Sequence, residues 1–173
     1  MQNLFFVSRQ THLQVPTEIQ PGGWARGYSA YRVSRMNGGD PWWIVIEQAI
    51  ELERLKIDPR LPSRLRASFL FTSIDDAMQT ASPHYWGKQP LLIWKAVISN
   101  ADAPTHIGDA DLFRNFEGLS YPQICERARA YWSTEAQHPY RELITESPIR
   151  ITQPLLFWTG QAWQPVAPCQ PNK

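Results

Sequence analysis

The sequence predicts an α+β domain in which two small β-sheets surround a cleft and helices flank them. Three observations carry that expectation. Segments of strand and helix character follow one another without the regular alternation that builds a doubly wound parallel sheet. Fifteen prolines favour short strands, turns and rigid loops over a helical bundle. Eight tryptophans in 173 residues call for aromatic core walls or a cleft lined by flat rings, because an indole is costly to leave in water.

A chain of this length fits one domain covering 1–173, and it can bury a core of its own. No repeat, low-complexity tract or linker divides it. Leu4 to Ser8 is short, apolar and aromatic, and reads as a buried first strand. Residues 16–40 are polar and broken by Pro21-Gly22-Gly23, Gly27 and Gly38-Gly39, so a long loop is expected there, of the kind that often binds or covers a ligand. Asp40-Pro41 supplies an N-cap and a proline at the first helical position. A helix is expected over Trp42 to Ile57, with Trp43, Ile46, Ile50 and Leu55 on its apolar side.

Leu61-Pro62-Ser63 ends that helix, and Ala67 to Thr72 reads as the second strand. Ser73 caps a short helix from Ile74 to Ala81, with Asp75 and Asp76 at its positive end. Leu91 to Ile98 is the clearest strand. A turn-rich loop is expected over 99–120, then a helix from Tyr121 to Trp132 that Pro122 can begin. Arg141 to Thr145 and Pro148 to Thr152 read as strands joined at Glu146-Ser147. The stretch from Pro154 through Phe157-Trp158 to Trp163 reads as a last hairpin.

Composition narrows the function. Hydrophobic residues make up 43% and charged residues 19%, a globular balance. A net charge of +1 gives no strong reason for tight, sequence-blind binding to nucleic acid. Residues 1–66 are mildly basic, with nine Lys/Arg against six Asp/Glu. Cys125 and Cys169 lack metal-like spacing and are too few for a disulfide scaffold, so a reducing compartment is expected. Met1 to Val7 lacks the basic and apolar regions of a signal peptide, and no apolar run approaches a membrane span of ~20 residues. A cytoplasmic protein follows as the expectation.

The motifs that usually announce chemistry are missing: no phosphate loop ending in Lys-Ser/Thr, no G-x-G-x-x-G, no H-E-x-x-H and no G-x-S-x-G. His12, His84, His106 and His138 show no ligand spacing, so no metal is expected.

Three segments remain, in a fixed order. The strand Phe5-Phe6-Val7-Ser8 ends at Arg9. Pro62-Ser63-Arg64 leads into Ser68-Phe69-Leu70-Phe71-Thr72-Ser73 and Ala77. Tyr131-Trp132-Ser133 precedes Glu142-Leu143-Ile144 and Pro148-Ile149-Arg150-Ile151. Over roughly residues 4–152 this set resembles the ADP-ribosyltransferase superfamily, in particular its small bacterial members.

The resemblance implies NAD as co-substrate, a cleft between two sheets, and Glu142 as the catalytic carboxylate. ADP-ribosyl transfer breaks the bond from nicotinamide to ribose through an oxocarbenium-like state, comparable to glycoside cleavage. A carboxylate beside that ribose can bind its 2′-hydroxyl and offset the developing charge. By the same resemblance Arg9 would meet the NAD phosphates, Arg64 would belong to the cofactor site, and Ser68, Thr72 or Ser73 would hold the ribose. His12 would line the pocket, and Phe69, Phe71, Tyr85 or Trp132 would stack on a flat ring.

Members that modify protein arginines usually carry a second glutamate two residues before the catalytic one. Tyr140 stands there. With the mildly basic first third, that favours nucleic acid slightly over protein as acceptor. The resemblance, a compact single-domain form and the lack of a secretion signal imply an intracellular toxin or defence enzyme, with an antitoxin or immunity protein as partner. Two alternatives stay open on the same fold. One is an NAD-dependent RNA 2′-phosphotransferase-like enzyme relying on Arg9, Arg64 and Arg66; the other is a non-catalytic binding module.

Overall fold

The computed structural model describes residues 3–9, 13–23, 42–80, 90–113, 116–133 and 140–166. Within them run strands β1 (Leu4–Ser8), β2 (Thr17–Ile19), β3 (Ser68–Phe71), β4 (Leu91–Ile98), β5 (Thr105–Asp109), β6 (Arg141–Thr145), β7 (Ile149–Trp158) and β8 (Trp163–Pro165). Three α-helices accompany them, α1 (Trp42–Ile57), α2 (Ile74–Thr80) and α3 (Tyr121–Ser133), with a 3-10 turn at Ala110–Phe113. The class is α+β, as expected.

The sheets differ from expectation. The described strands form one antiparallel sheet in the order β2-β7-β4-β1-β3-β6-β5, with β8 added on β7, rather than two separate sheets. The join explains how one sheet arises. β1 pairs with β4 from Leu4↔Ala96 to Ser8↔Leu92, but meets β3 at Phe5↔Phe71. The sheet therefore has two halves, β2-β7-β4-β1 and β3-β6-β5, hinged on one residue pair.

Alternation sorts side chains between the two faces. On one face Leu4, Leu70, Leu92, Trp94, Ala96, Leu143, Ile149 and Ile151 form a continuous core. The other face carries two clusters. Val7, Phe71, Leu91 and Ile93 pack with Ala77 of α2. Ile144 packs with Ile46, Ala49 and Ile50 of α1 and with Ile124, Ala128, Tyr131 and Trp132 of α3. Leu55 is exposed, not on the core stripe, because it lies about 100° around the helix from Arg54, which is buried. The Asp40-Pro41 cap and the side chain of Trp43 lie outside the described residues.

Three further differences have local causes. β2 falls inside the expected 16–40 loop, and β5 inside the expected 99–120 loop. Both are edge strands, the first three residues long and the second the polar run THIGD, so neither shows apolar alternation. β7 continues past Thr152 through Pro154, which pairs with Trp94 where the β4–β7 register shifts. Bulges are where a strand tolerates a proline. The expected final hairpin forms, with Trp158 opposite Trp163.

Candidate functional site

Glu142 opens β6 and stands in a row of paired residues crossing the hinge: Gly108 on β5, Glu142, Phe71 on β3 and Phe5 on β1. It points to the helix-covered face, shared with Ile144 two residues on. There it separates the α1–α3 cluster from the α2 cluster and is only 5% exposed.

Two donors hold its carboxylate. The Tyr131 hydroxyl donates to Glu142 Oε1 at 2.8 Å, and Arg64 Nη1 donates to the same oxygen. Arg64 Nη1 also donates to Tyr131 Oη at 3.0 Å, closing a triangle. On its other side Arg64 Nε lies 3.5 Å from Glu47 Oε2 of α1. Three rings surround the guanidinium, with centres 4.8 Å (Phe69), 4.9 Å (Phe113) and 5.0 Å (Tyr131) from its central carbon.

The chain delivers these groups by local devices. Arg64 sits on a turn tied down on both sides. Arg54 donates to the carbonyls of Pro59 and Leu61 at 2.8 and 2.7 Å. Ser63 donates through its hydroxyl to Glu51 at 2.9 Å and through its backbone N–H to Glu146 at 2.7 Å. Tyr131 can reach Glu142 because residue 108 is glycine: a Cβ there would fall 2.1 Å from Tyr131 Cε2. His106 fixes the end of α3. Its Nε2 contacts the Tyr131 carbonyl at 2.9 Å, and a carbonyl only accepts, so Nε2 carries the proton.

The electrostatics follow from burial and pairing. Burial works against the charged form of Arg64, but the charges of Glu142, Tyr131 and Glu47 outweigh it and raise its pKa well above the ordinary value. Tyr131 is likewise raised well above its usual range, first by burial and then by the Glu142 charge. His106 is lowered from 6.5, chiefly by burial. The cluster can therefore hold a cation against carboxylates in a dry site at neutral pH.

The other expected site residues do not all converge here. Thr72 and Ser73 donate instead to Asp76 Oδ2, at 3.1 and 2.7 Å. The Asp76 N–H returns a bond to Ser73 Oγ at 3.0 Å, which makes a reciprocal cap for α2. Asp76 also accepts from the backbone N–H of Arg141 at 3.2 Å, so this second buried carboxylate adjoins Glu142 along β6. Ser68 pairs with Thr145 on the opposite face of the sheet from Glu142, because an odd number of residues separates each from the Glu142 row. Phe71 is buried in the α2 cluster. Trp132 is buried with its indole N–H on the Ile50 carbonyl at 2.9 Å, a core position. Arg9 is exposed just beyond β1. Arg66 makes a two-pronged pair with Glu146, roughly 13 Å along β6 from Glu142 at ~3.3 Å per residue. Arg9, Arg64 and Arg66 are thus held in three different settings. A cavity of about 180 Å³ opens beside that pair, lined by Pro59, Arg60, Pro62, Arg66, Pro104 and Glu146. His12 and Tyr85 lie outside the described residues.

Sequence reasoning missed Glu47, Phe113, Gly108 and the role of Tyr131. Glu47 had a signal: with Ile50 and Arg54 it falls at helical spacing on the α1 face that carries the core, where a charge needs a buried partner. Phe113 and Gly108 lie in the segment expected to be a loop.

A family model described as "Protein of unknown function (DUF2441)" matches residues 30–156. The chain belongs to that family. The matched stretch contains Glu47, Arg64, Phe69, Gly108, Phe113, Tyr131 and Glu142, and leaves Arg9 and His12 outside. No curated protein matches the sequence. Among the described residues no helix is long and apolar enough to cross a membrane.

Proposed function

We propose that the chain transfers ADP-ribose from NAD to a macromolecule, with Glu142 as the carboxylate that faces the ribose. One observation carries the reading. The glutamate singled out by the resemblance to ADP-ribosyltransferases is a buried carboxylate at the start of a strand, beside the hinge between the halves of the sheet. Two donors position it, one of them a cation in contact with three aromatic rings. A carboxylate held in a dry setting stabilises developing positive charge more strongly than one in water. In this reading Arg64 must leave Glu142 before the dinucleotide enters. Arg9, exposed beyond β1, is the residue assigned to the NAD phosphates by the resemblance.

The acceptor we favour is nucleic acid, because Tyr140 stands where a second glutamate is usual in arginine-directed enzymes and residues 1–66 are mildly basic. A cytoplasmic toxin or defence role with an inhibitory partner goes with it. The test is NAD labelled on the ADP-ribose, incubated with a cell lysate and then treated with nuclease or protease. Nuclease should release the label, and Glu142→Gln should lower labelling at least 100-fold while the circular dichroism stays that of the parent protein. Undiminished labelling by Glu142→Gln would remove Glu142 from the mechanism.

A second reading is a non-catalytic module on the same fold. It is favoured by the burial of Glu142, whose bonds to Arg64 and Tyr131 would serve as an internal fastening. Failure of the parent protein to consume NAD under any tested acceptor would select it.

A further inference from the structure

The cavity of about 180 Å³ beside Arg66 and Glu146 opens between three stretches of chain. They are the turn after α1, the lead into β5 and the link from β6 to β7. Pro59, Leu61, Pro62 and Pro104 give it apolar walls, and Arg60, Arg66 and Glu146 give it charge. It is a place apart from the buried ion cluster at the other end of β6.

The polar groups of the walls are already engaged. Arg54 donates to the carbonyls of Pro59 and Leu61, and the Thr145 hydroxyl donates to that of Pro104 at 3.2 Å. The N–H groups of Arg60 and Leu61 donate to Asp58 at 2.9 and 3.1 Å. That of Ser63 donates to Glu146, and that of Arg66 to the Ser63 carbonyl at 3.0 Å. Proline has no N–H to offer. Such walls favour hydrocarbon and leave few groups to read the edge of a nucleobase. They are also braced, so little freedom is lost in ordering them around a ligand.

The arginines keep donors to spare. Arg60 uses Nε and Nη2 on Asp58, and Arg66 uses Nε and Nη2 on Glu146. Among the described residues no partner meets Nη1 of either. Both side chains are exposed, at 88% and 60%. A guanidinium pairs with carboxylates and stacks its flat face on aromatic rings. Glu146 opposes an anion only weakly, because both its oxygens already accept from Arg66 and one also from Ser63. Size narrows the ligand further, since a cavity of about 150 Å³ accepts one benzene ring.

We infer that this cavity binds a small acid made of one aromatic ring and a carboxylate. The ring lies against the prolines and Leu61, and the carboxylate meets Arg60 and Arg66. Both a free acid and the C-terminal aromatic residue of a peptide present that chemistry. Such a site is independent of the transferase reading.

The experiment is titration of phenylacetate into the isotope-labelled full chain, followed by backbone amide shifts. Saturable shifts should appear at roughly millimolar acid or below, as a ligand of about ten heavy atoms allows. They should centre on Leu61, Arg66 and Glu146. Acetate, which lacks the ring, should bind about tenfold more weakly or worse. Phenylacetamide, which lacks the charge, should lose about fivefold, the upper end for an exposed ion pair. Arg60→Ala should cost phenylacetate a similar factor, and the exposure of Arg60 means that its loss leaves the fold intact. N-acetyl-glycyl-phenylalanine binding more tightly than phenylacetate would assign the acid to a peptide terminus, and weaker binding would assign it to a free molecule. Absence of saturable shifts, or shifts centred elsewhere, overturns the proposal. So does acetate binding as tightly as phenylacetate, or Arg60→Ala binding phenylacetate as the parent does.

Discussion

The half of the sheet made by β2, β7, β4 and β1 is held by apolar contact on both faces, with Leu92, Trp94 and Ile151 on one side and Val7, Leu91 and Ile93 on the other. The half made by β3, β6 and β5 shares that core through Leu70, Leu143 and Ile144 and adds a buried ion cluster, Glu142, Arg64 and Glu47. Apolar burial is non-directional and scales with area, so its loss is local and graded. A buried ion cluster depends on every member, because removing one leaves the others charged and unpaired. The first half behaves as scaffold. The second behaves as a device with a narrow tolerance, which is what a site requires.

The two halves should separate most clearly in a pair of double-mutant cycles followed in urea. Arg64→Ala should lower stability by about 3–5 kcal/mol. Arg64→Ala combined with Glu142→Ala should cost clearly less than the sum of the two single changes, since the second removes a charge already orphaned. In the apolar half Ile93→Ala should cost about 2–5 kcal/mol. Its combination with Ile151→Ala, on the other face, should add to within ~0.5 kcal/mol. Additivity in the polar half would show that the cluster is not one unit.

A smaller effect is expected from Gly108→Ala. The new methyl would collide with the Tyr131 ring, costing about 1–3 kcal/mol and moving the hydroxyl off Glu142. Near-neutral stability in a thermal melt would mean that Tyr131 is not seated as described.

The smallest effect is a pH dependence. His106 has its pKa lowered from 6.5 by burial, so between 6.5 and the lower folded value the unfolded chain binds more protons than the folded one. Stability should therefore fall as pH drops below 6.5 and level off beneath the folded value. His106→Gln should flatten that part of the profile while leaving the acid limb set by carboxylates. An unchanged slope would assign the pH dependence elsewhere.

Much of the fold was legible in the chain. Leu91–Ile98 and Arg141–Thr145 carry their own apolar patterns, and α1 and α3 their own starts, so local physics suffices for them. The edge strands β2 and β5 were not legible, because an edge strand takes its order from a neighbour and needs no pattern of its own. The candidate site divides the same way. Glu142 and Arg64 were both singled out, but as partners of a dinucleotide, and their contact with each other spans 78 positions of sequence. Ser68 was singled out for its place in a motif, while its pairing with Thr145 puts it on the sheet face opposite Glu142.

By itself the sequence determined the α+β class, the Ser73 cap of α2, the paired strands at the end of the chain and the presence of an acidic residue near the start of β6. Those follow from spacing, capping and local backbone preference, which act over a few residues. Tertiary structure alone decided that the sheet is one and hinged, that Asp76 meets the backbone of Arg141, and that Arg64 is enclosed by three rings and two carboxylates. Charge pairing and ring contact depend on distance in space, and distance in space is what a linear order of residues does not contain.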